Sequence, residues 1–355
     1  MAKIRIVHST EYAYRNPVGL TRHRLMLRPD ESHDLRLHEA ILEVHPKPSL
    51  VYWTHDAFDN SICFLEWPES LRTDHLRIVS TLDLTHHPDG PPAPVYSLEK
   101  SAEAFPFCYD LEELPDIARL AERQLRDPDR TVHAWARRFV ADVRDARTLA
   151  VLETMTHAIK AEFRYGARHE EGTQTAAETF ALGSGTCRDF AVLMMEALRS
   201  FGVATRFVTG YLYDDTSGTA RGGGSTHAWC AVYLPGAGWV EYDPTNGLVA
   251  GSNLIRVGAT RSASQALPVS GGYVGAPGDA AGLHVDVTIT GAPAQCSSQL
   301  CQIKANPVGA SELGLSYLSE RPRMARLYAP TNRRSFLLDR PRNLLRARRG
   351  ARRPT

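Results

Sequence analysis

Long apolar runs and cysteine clusters are missing from this sequence of 355 residues. No stretch of about 18 consecutive apolar residues occurs, so no membrane-spanning helix is expected. The start, Met1 to Arg5, leads into a strand-like pattern and lacks the apolar segment of a signal peptide, which makes the cytoplasm the expected location. The six cysteines are scattered and too few for a disulfide framework, so free thiols are expected.

Net charge is also scarce, but its distribution is uneven. The whole chain carries +1, whereas the stretch from Tyr317 to Thr355 holds twelve arginines against two acidic residues, Glu320 and Asp339. A basic end of this kind is usually a solvated tail, and nucleic-acid binding is the alternative. Because the stretch lacks the interleaved aromatic residues of a base-stacking surface, the solvated tail is favoured.

Patterns that would hold a metal or a cofactor are missing as well. Cys296 and Cys301 have Cys-x4-Cys spacing, but no second pair or nearby histidine completes a metal site. Asp214 and Asp215 lack the ligand spacing of a calcium loop. The glycine run 222–224 neither follows a strand nor opens a helix, so it indicates a mobile loop and not a phosphate cradle. We expect no metal and no cofactor.

Period-two alternation dominates the first 86 residues. Apolar and polar residues alternate from Leu76 to Leu84, as they do in half-buried strands. Turn-forming pieces around Pro29 and Asn60 separate similar runs. Several short strands in about 85 residues predict a small β-sandwich. The proline-rich stretch 88–94 cannot continue a sheet and indicates a stiff linker.

Beyond the linker the apolar spacing becomes helical. Apolar residues recur at intervals of three and four over 149–163, and a second stripe of this kind covers 132–140. Strand-like patterns return between 206 and 243, and 284–290 predicts one last strand. The second half of the chain is therefore expected to combine helices with an antiparallel sheet.

The strongest chemical signal is Cys187, within the segment Gly-Ser-Gly-Thr-Cys-Arg-Asp-Phe-Ala. Thr186 and Asp189 have the spacing of a capping box, which places Cys187 in the first turn of a helix. Unpaired backbone N–H groups and the helix dipole favour a thiolate there. The glycines at 183 and 185 allow a tight turn that leaves the sulfur accessible. A cysteine is often only a small buried apolar residue, but these polar surroundings fit that alternative poorly.

A nucleophilic thiol needs a base, and the sequence offers His227 and Asp243 on consecutive strands. An imidazole can keep the thiol ionised and later protonate a leaving amine, and a carboxylate fixes its orientation. A hairpin that pairs Leu234 with Trp239 would put the two side chains on opposite faces, because a shift of one residue reverses every side chain. We therefore predict a pairing shifted by one, for instance Tyr233 opposite Trp239, or a bulge with the same effect.

These segments, in this order, resemble the transglutaminase-like core: Gly-Thr-Cys-Arg-Asp-Phe-Ala, His-Ala-Trp and Asp-Pro-Thr-Asn-Gly. The first block, with Tyr-Ala-Tyr at 12–14, Leu-Met-Leu-Arg-Pro at 25–29 and Asp-Ala-Phe-Asp-Asn at 56–60, resembles the amino-terminal region of bacterial transglutaminase-like proteins. The resemblance covers about residues 1 to 290. Many members carry Arg-Asp-Tyr-x-Asp after the third motif, where this chain has Arg-Ser-Ala-Ser-Gln at 261–265.

The resemblance implies an α+β, papain-like fold, in which a cysteine-bearing helix packs against an antiparallel sheet that carries histidine and aspartate. It implies the roles of nucleophile for Cys187, general base and acid for His227, and orienting carboxylate for Asp243. The expected organisation has four parts. A β-rich accessory domain covers 1–86, and a linker with a helix covers 87–130. The catalytic core covers 131–292, and a poorly ordered arginine-rich extension covers 293–355.

Acyl transfer through a Cys187 thioester is the expected reaction, with a protein or peptide as substrate. The backbone N–H of Cys187 is the expected oxyanion donor, and the second donor stays unassigned. Hydrolysis is favoured over transamidation, because nothing marks a calcium site or an amine-binding surface. A non-catalytic binding module on the same fold is the remaining alternative. Trp229 and Tyr211 are candidates to line the cleft, although each is more often a core aromatic.

Overall fold

The computed structural model describes residues 2–87, 97–141, 146–166, 172–213, 226–249 and 253–292. The predicted linker at 88–94, the acidic pair and the glycine run between 214 and 224, Cys296, Cys301 and the arginine-rich extension lie outside the described residues. In the part of the chain that is described, no helix is long and apolar enough to cross a membrane.

Two β-sheets form the amino-terminal part. Its strands are β1 (Ala2–Leu20), β2 (His23–Leu25), β3 (Leu35–His45), β4 (Leu50–His55), β5 (Ser61–Glu66) and β6 (Thr73–His86). One sheet contains β1, β6 and β3, and the other contains β2, β5 and β4. Residues from both sheets share one apolar core that includes Val18, Leu25, Leu65 and Ile78. The sandwich predicted from the alternating pattern is confirmed, with strands longer than expected.

Three strands from the end of the described chain complete these two sheets. They are β14 (Val269–Ser270), β15 (Tyr273–Val274) and β16 (Ala280–Ala292), and β16 runs antiparallel along β1 from Lys3 to Tyr14. The sequence predicts a strand at 284–290 but groups it with the catalytic core. The structure instead pairs it with the accessory sheet, because alternation reveals a strand but not its partner.

Among the described residues, five α-helices and the remaining strands build the second part of the chain, called the core below. They are α1 (Leu114–Ala121), α2 (Thr131–Ala141), α3 (Thr148–Glu162), β7 (Arg164–Tyr165), α4 (Ala176–Leu182), β8 (Ser184–Gly185), α5 (Cys187–Arg199), β9 (Thr205–Leu212), β10 (Thr226–Leu234), β11 (Gly238–Asp243), β12 (Leu248–Val249) and β13 (Leu254–Thr260). The antiparallel sheet has the order β12-β11-β10-β9-β13, and α5 packs against β10 and β9. Both predicted helical stripes are confirmed, in α2 and α3.

The β10–β11 hairpin adopts the predicted register. Tyr233 lies opposite Trp239 and Leu234 lies opposite Gly238, so a loop of three residues, 235–237, joins the strands. Gly236 has a φ of 85° and Gly238 a φ of 72°, a left-handed conformation that favours glycine. The ladder therefore brings His227 and Asp243 to one face of the sheet.

The accessory sandwich is anchored to the edge strand β13. The side-chain amide of Asn60 donates to the carbonyl of Ala259 over 2.9 Å and accepts from its N–H over 2.8 Å. A Cβ atom at position 258 would lie 2.6 Å from Met26 Sδ and 3.0 Å from Asn60 Oδ1, so a side chain there would displace Met26. The two parts thus share backbone-level contacts and one continuous apolar core.

Candidate active site

Cys187 is the first residue of α5, and a buried carboxylate secures the start of that helix. Asp189 Oδ2 accepts from the backbone N–H of Thr186 over 2.8 Å and from its hydroxyl over 2.9 Å. Asp189 Oδ1 accepts from the N–H of Gln174 over 2.7 Å. Since Asp189 has no exposed surface, these bonds fix the entry of the chain into the helix. The predicted capping-box start is confirmed.

The two glycines before Cys187 are required for different structural reasons. Gly183 ends α4 with a φ of 59°, in the left-handed region. Gly185 leaves room for the capping carboxylate, because a Cβ atom there would lie 2.8 Å from the Cβ of Asp189. The turn places Cys187 at the helix start with 8% of the residue surface exposed.

His227 lies near the start of β10, opposite Gly210 of β9, and is 1% exposed. Its Nε2 atom is 2.8 Å from Oδ2 of Asp243, which is fully buried. The ring of Trp229 stacks beside the imidazole, with ring centroids 5.9 Å apart and an angle of 29° between the planes. The imidazole is therefore held by one charged partner and one apolar face.

The charge of Asp243 governs the protonation of His227. Burial alone would lower the pKa of His227, but the carboxylate of Asp243 and the nearby Cys187 outweigh it and raise the pKa to about 10. Burial likewise opposes ionisation of Asp243, and the charge and hydrogen bond of His227 overcome it and lower the pKa of that carboxyl. Each partner thus stabilises the charged form of the other.

The second ring nitrogen of His227, Nδ1, is the one that does not bond to Asp243. Among the residues that the structure describes, Nδ1 is buried and accepts or donates no ordinary hydrogen bond. Cys187 nevertheless contributes to the raised pKa of His227, so the cysteine lies close to the imidazole. With Nε2 engaged by Asp243, Nδ1 is the atom left to exchange a proton with Cys187. The structure brings all three predicted residues together.

The two aromatic candidates for the cleft lie next to the site but are buried. Trp229 is fully buried and Tyr211 is 1% exposed, so neither presents a surface that a substrate could touch. Tyr211 instead bonds through its hydroxyl to Nδ1 of His8 in the accessory sheet, over 3.0 Å. The sequence pattern places both beside the site, and the burial shows that they support it from behind.

Arg188 is a neighbour of the site that the sequence does not single out. Its guanidinium donates to the carbonyl of Ala263 over 2.6 Å and to that of Ala266 over 3.3 Å, and it lies 4.8 Å from the ring centre of Phe207. The segment 261–265, in which the chain departs from the family pattern, is thereby fastened beside Cys187. The adjacency of Arg188 to Cys187 is the one signal that could have revealed it.

Two regions of the chain match families of known proteins. Residues 133–244 match the profile of the Transglutaminase-like superfamily, and residues 4–85 match that of the Bacterial transglutaminase-like N-terminal region. An uncharacterized protein of Mycobacterium leprae is 28% identical over 304 residues, which cover 82% of this chain and 99% of that protein. An uncharacterized protein of Mycobacterium bovis is 27% identical over 278 residues, or 76% of this chain and 87% of the relative.

A solved structure shares the fold. It is a candidate cysteine protease from Cytophaga hutchinsonii, with a TM-score of 0.57, 16% identity, and coverage of 81% of this chain and 91% of that one. The matches in sequence and fold agree with the cysteine-bearing helix, the antiparallel sheet and the sandwich in front. Residues 133–244 therefore form a transglutaminase-like core, and residues 4–85 correspond to the amino-terminal region of bacterial transglutaminase-like proteins.

Proposed function

We propose that this protein is a thiol hydrolase that cleaves a carboxamide or peptide bond through a Cys187 thioester. The observation that carries the proposal is the buried His227–Asp243 pair, 2.8 Å apart, beside a cysteine at the start of a helix. The raised pKa of His227 means that the imidazole is protonated at neutral pH, so it can pair with a Cys187 thiolate.

The reaction follows from these positions. The Cys187 thiolate attacks the substrate carbonyl, and the backbone N–H of Cys187 at the helix start donates to the developing oxyanion. The imidazolium of His227 gives its proton to the leaving nitrogen, the C–N bond breaks and ammonia or an amine departs. Water then attacks the thioester as His227 takes its proton, which releases a carboxylic acid and restores the thiolate.

Transamidation differs only in the group that resolves the thioester. A primary amine in place of water would yield a new amide, with the same nucleophile and the same base. Product analysis separates the two reactions. The protein is incubated with casein and glutamine-containing peptides in the presence of a fluorescent primary amine. Released ammonia, new amino termini and incorporated amine are then measured. We expect release of ammonia or new termini, abolished in Cys187→Ala, and little amine incorporation.

Cysteine labelling provides a test that needs no substrate. Iodoacetamide is added between pH 5 and 9, and modified cysteines are mapped by mass spectrometry. We expect Cys187, although only 8% exposed, to react below about pH 7 faster than the exposed Cys108, and to lose that advantage in His227→Ala. Equal labelling of both thiols in the wild-type protein would contradict the assignment of Cys187 as the nucleophile. Full biological activity of Cys187→Ala would establish a non-catalytic module.

A further inference from the structure

The carboxylate of Asp243 has a second side-chain partner besides His227. The amide Nδ2 of Asn246 donates to Asp243 Oδ2 over 2.8 Å, the same oxygen that lies 2.8 Å from His227 Nε2. The backbone N–H groups of Thr245 and Asn246 donate to the other oxygen, Oδ1, over 2.9 and 3.3 Å. The oxygen that faces the imidazole thus also accepts a hydrogen bond from the side chain of Asn246.

Asn246 is itself held from two directions. Lys160 of α3 donates from Nζ to the carbonyl of Asn246 over 2.8 Å. The next residue, Gly247, has a φ of 67° and closes the turn with a bond of 2.8 Å from its N–H to the carbonyl of Asp243. A Cβ atom at 247 would lie 2.9 Å from both His157 and Lys160, so the turn is pressed against α3. The amide therefore reaches Asp243 from a turn that is closed by its own hydrogen bond and contacts α3.

We propose that Asn246 is a positioning residue for the base, which acts on His227 by fixing the rotation of the Asp243 carboxylate. This proposal rests on the proposed function. A carboxylate on a single-bonded stem can rotate, and backbone donors to Oδ1 alone leave Oδ2 free to swing about that anchor. A second donor to Oδ2, from a side chain on a closed turn, sets the direction of the lone pair that receives His227. The same bond favours the ionised form of Asp243 and contributes to its lowered pKa.

Two substitutions separate positioning from a general structural role. Asn246→Ala removes the donor at every pH, and we expect Cys187 alkylation to slow about tenfold relative to wild type across the range. Asn246→Asp keeps the shape and places two carboxyl groups side by side, which can share one proton at low pH but repel when both ionise. Its rate relative to wild type should lie within about twofold at pH 5 and fall about tenfold by pH 8.

A matched control exists in the accessory part. Asn16 donates from Nδ2 to Asp279 over 2.8 Å, the same type of bond at the same length, far along the chain from the site. Asn16→Ala and Asn16→Asp should leave the alkylation profile of Cys187 unchanged. Thermal unfolding of all variants reports whether the fold is kept.

The outcomes distinguish the two levels of the argument. If His227→Ala leaves the Cys187 profile intact, the proposed function fails. If His227→Ala slows alkylation but Asn246→Asp shows no pH-dependent loss, only the positioning role of Asn246 is overturned. A parallel loss in Asn246→Ala and Asn246→Asp at all pH values would also overturn it, because a packing role predicts that result.

Discussion

Two buried histidines, one in the accessory sheet and one in the core sheet, differ in charge: one is neutral and the other is protonated at neutral pH. His8 of the accessory sheet and His227 of the core sheet are each 1% exposed. Burial lowers the pKa of His8 to about 4, slightly offset by Asp286, whereas the pKa of His227 is raised to about 10. The same side chain at the same depth is therefore neutral in one sheet and protonated in the other.

The partners account for the difference. His8 bonds to two neutral hydroxyl groups, Tyr211 at 3.0 Å and Thr10 at 3.1 Å, which cannot compensate a buried positive charge. His227 bonds to the carboxylate of Asp243, whose charge outweighs the cost of burial. One histidine thus joins two sheets as a neutral hydrogen-bonding group, and the other forms a charged pair with a carboxylate.

Removing the carboxylate should make the two histidines alike, and this is the largest effect that we expect. In Asp243→Asn the main partner that raises the pKa of His227 is gone and only Cys187 still opposes burial, so we expect the pKa to fall and the imidazole to be neutral at pH 7. If Cys187 reacts as the proposed function requires, it loses its cationic partner in this variant, and alkylation at pH 6 should slow by about a hundredfold. The pKa of His227 is read from the NMR titration of the ring, and alkylation from mass mapping.

The same substitution beside the other histidine is the control. Asp286→Asn removes the carboxylate that acts on His8 and should change the alkylation of Cys187 by less than about twofold. A His227 that stays protonated at pH 7 in Asp243→Asn would show that the carboxylate does not set its charge, and the contrast between the two histidines would then need another cause.

The parts of this site that the sequence predicts are those with local signals. Cys187 sits between glycines and a helix cap within a few residues, and the register of the His227 hairpin follows from the alternation of its faces. The Asn246 bond to Asp243 is also local, but a turn sequence does not state which way an amide points. Local chemistry was therefore predictable to the level of residues and not of hydrogen bonds.

Contacts between distant parts of the chain were not predictable in this way. The pairing of β16 with β1, the Asn60 bonds to Ala259 and the bond between His8 and Tyr211 join residues about 200 or more positions apart. Periodicity shows that a strand exists and which face is apolar, but many strands satisfy that condition equally well. The aromatic pair at 211 and 229 was assigned to the cleft for the same reason, since a pattern cannot show what covers a side chain.

The pH dependence of folding should reveal the neutral histidine. The pKa of His8 is about 4 in the folded protein and about 6.5 when unfolded, so between these values the unfolded chain binds more protons. Stability that depends on His8 is complete above about pH 6.5 and is lost as pH falls towards 4. The linkage relation gives a loss of about 2 kcal/mol between pH 7.5 and 5.

His8→Asn isolates this contribution, because the variant keeps a polar atom near Tyr211 and cannot titrate. The difference in free energy of unfolding between wild type and His8→Asn is measured in urea at pH 7.5, 6 and 5. As pH falls, the free energy of unfolding of the wild-type protein should decrease relative to that of the variant. His227 contributes with the opposite sign, since its raised pKa stabilises the fold below 6.5 and loses that effect as pH rises towards 10, but it is common to both proteins and cancels. A constant difference at all three pH values would contradict the neutral state of His8.

Tyr211→Phe should give the smallest effect and shows what the neutral bond contributes. The substitution removes one hydroxyl, leaves the ring in its buried place and deprives Nδ1 of His8 of its partner. Because no charge is stranded and Thr10 still bonds to Nε2, we expect a loss of about 1 kcal/mol in the free energy of unfolding at pH 7.5. Tyr211 lies behind the site, so Cys187 alkylation should stay within about twofold of wild type. A much larger fall in alkylation, with stability preserved, would mean that the accessory domain tunes the reactive cysteine through this single hydroxyl, and the two histidines would then belong to one functional unit.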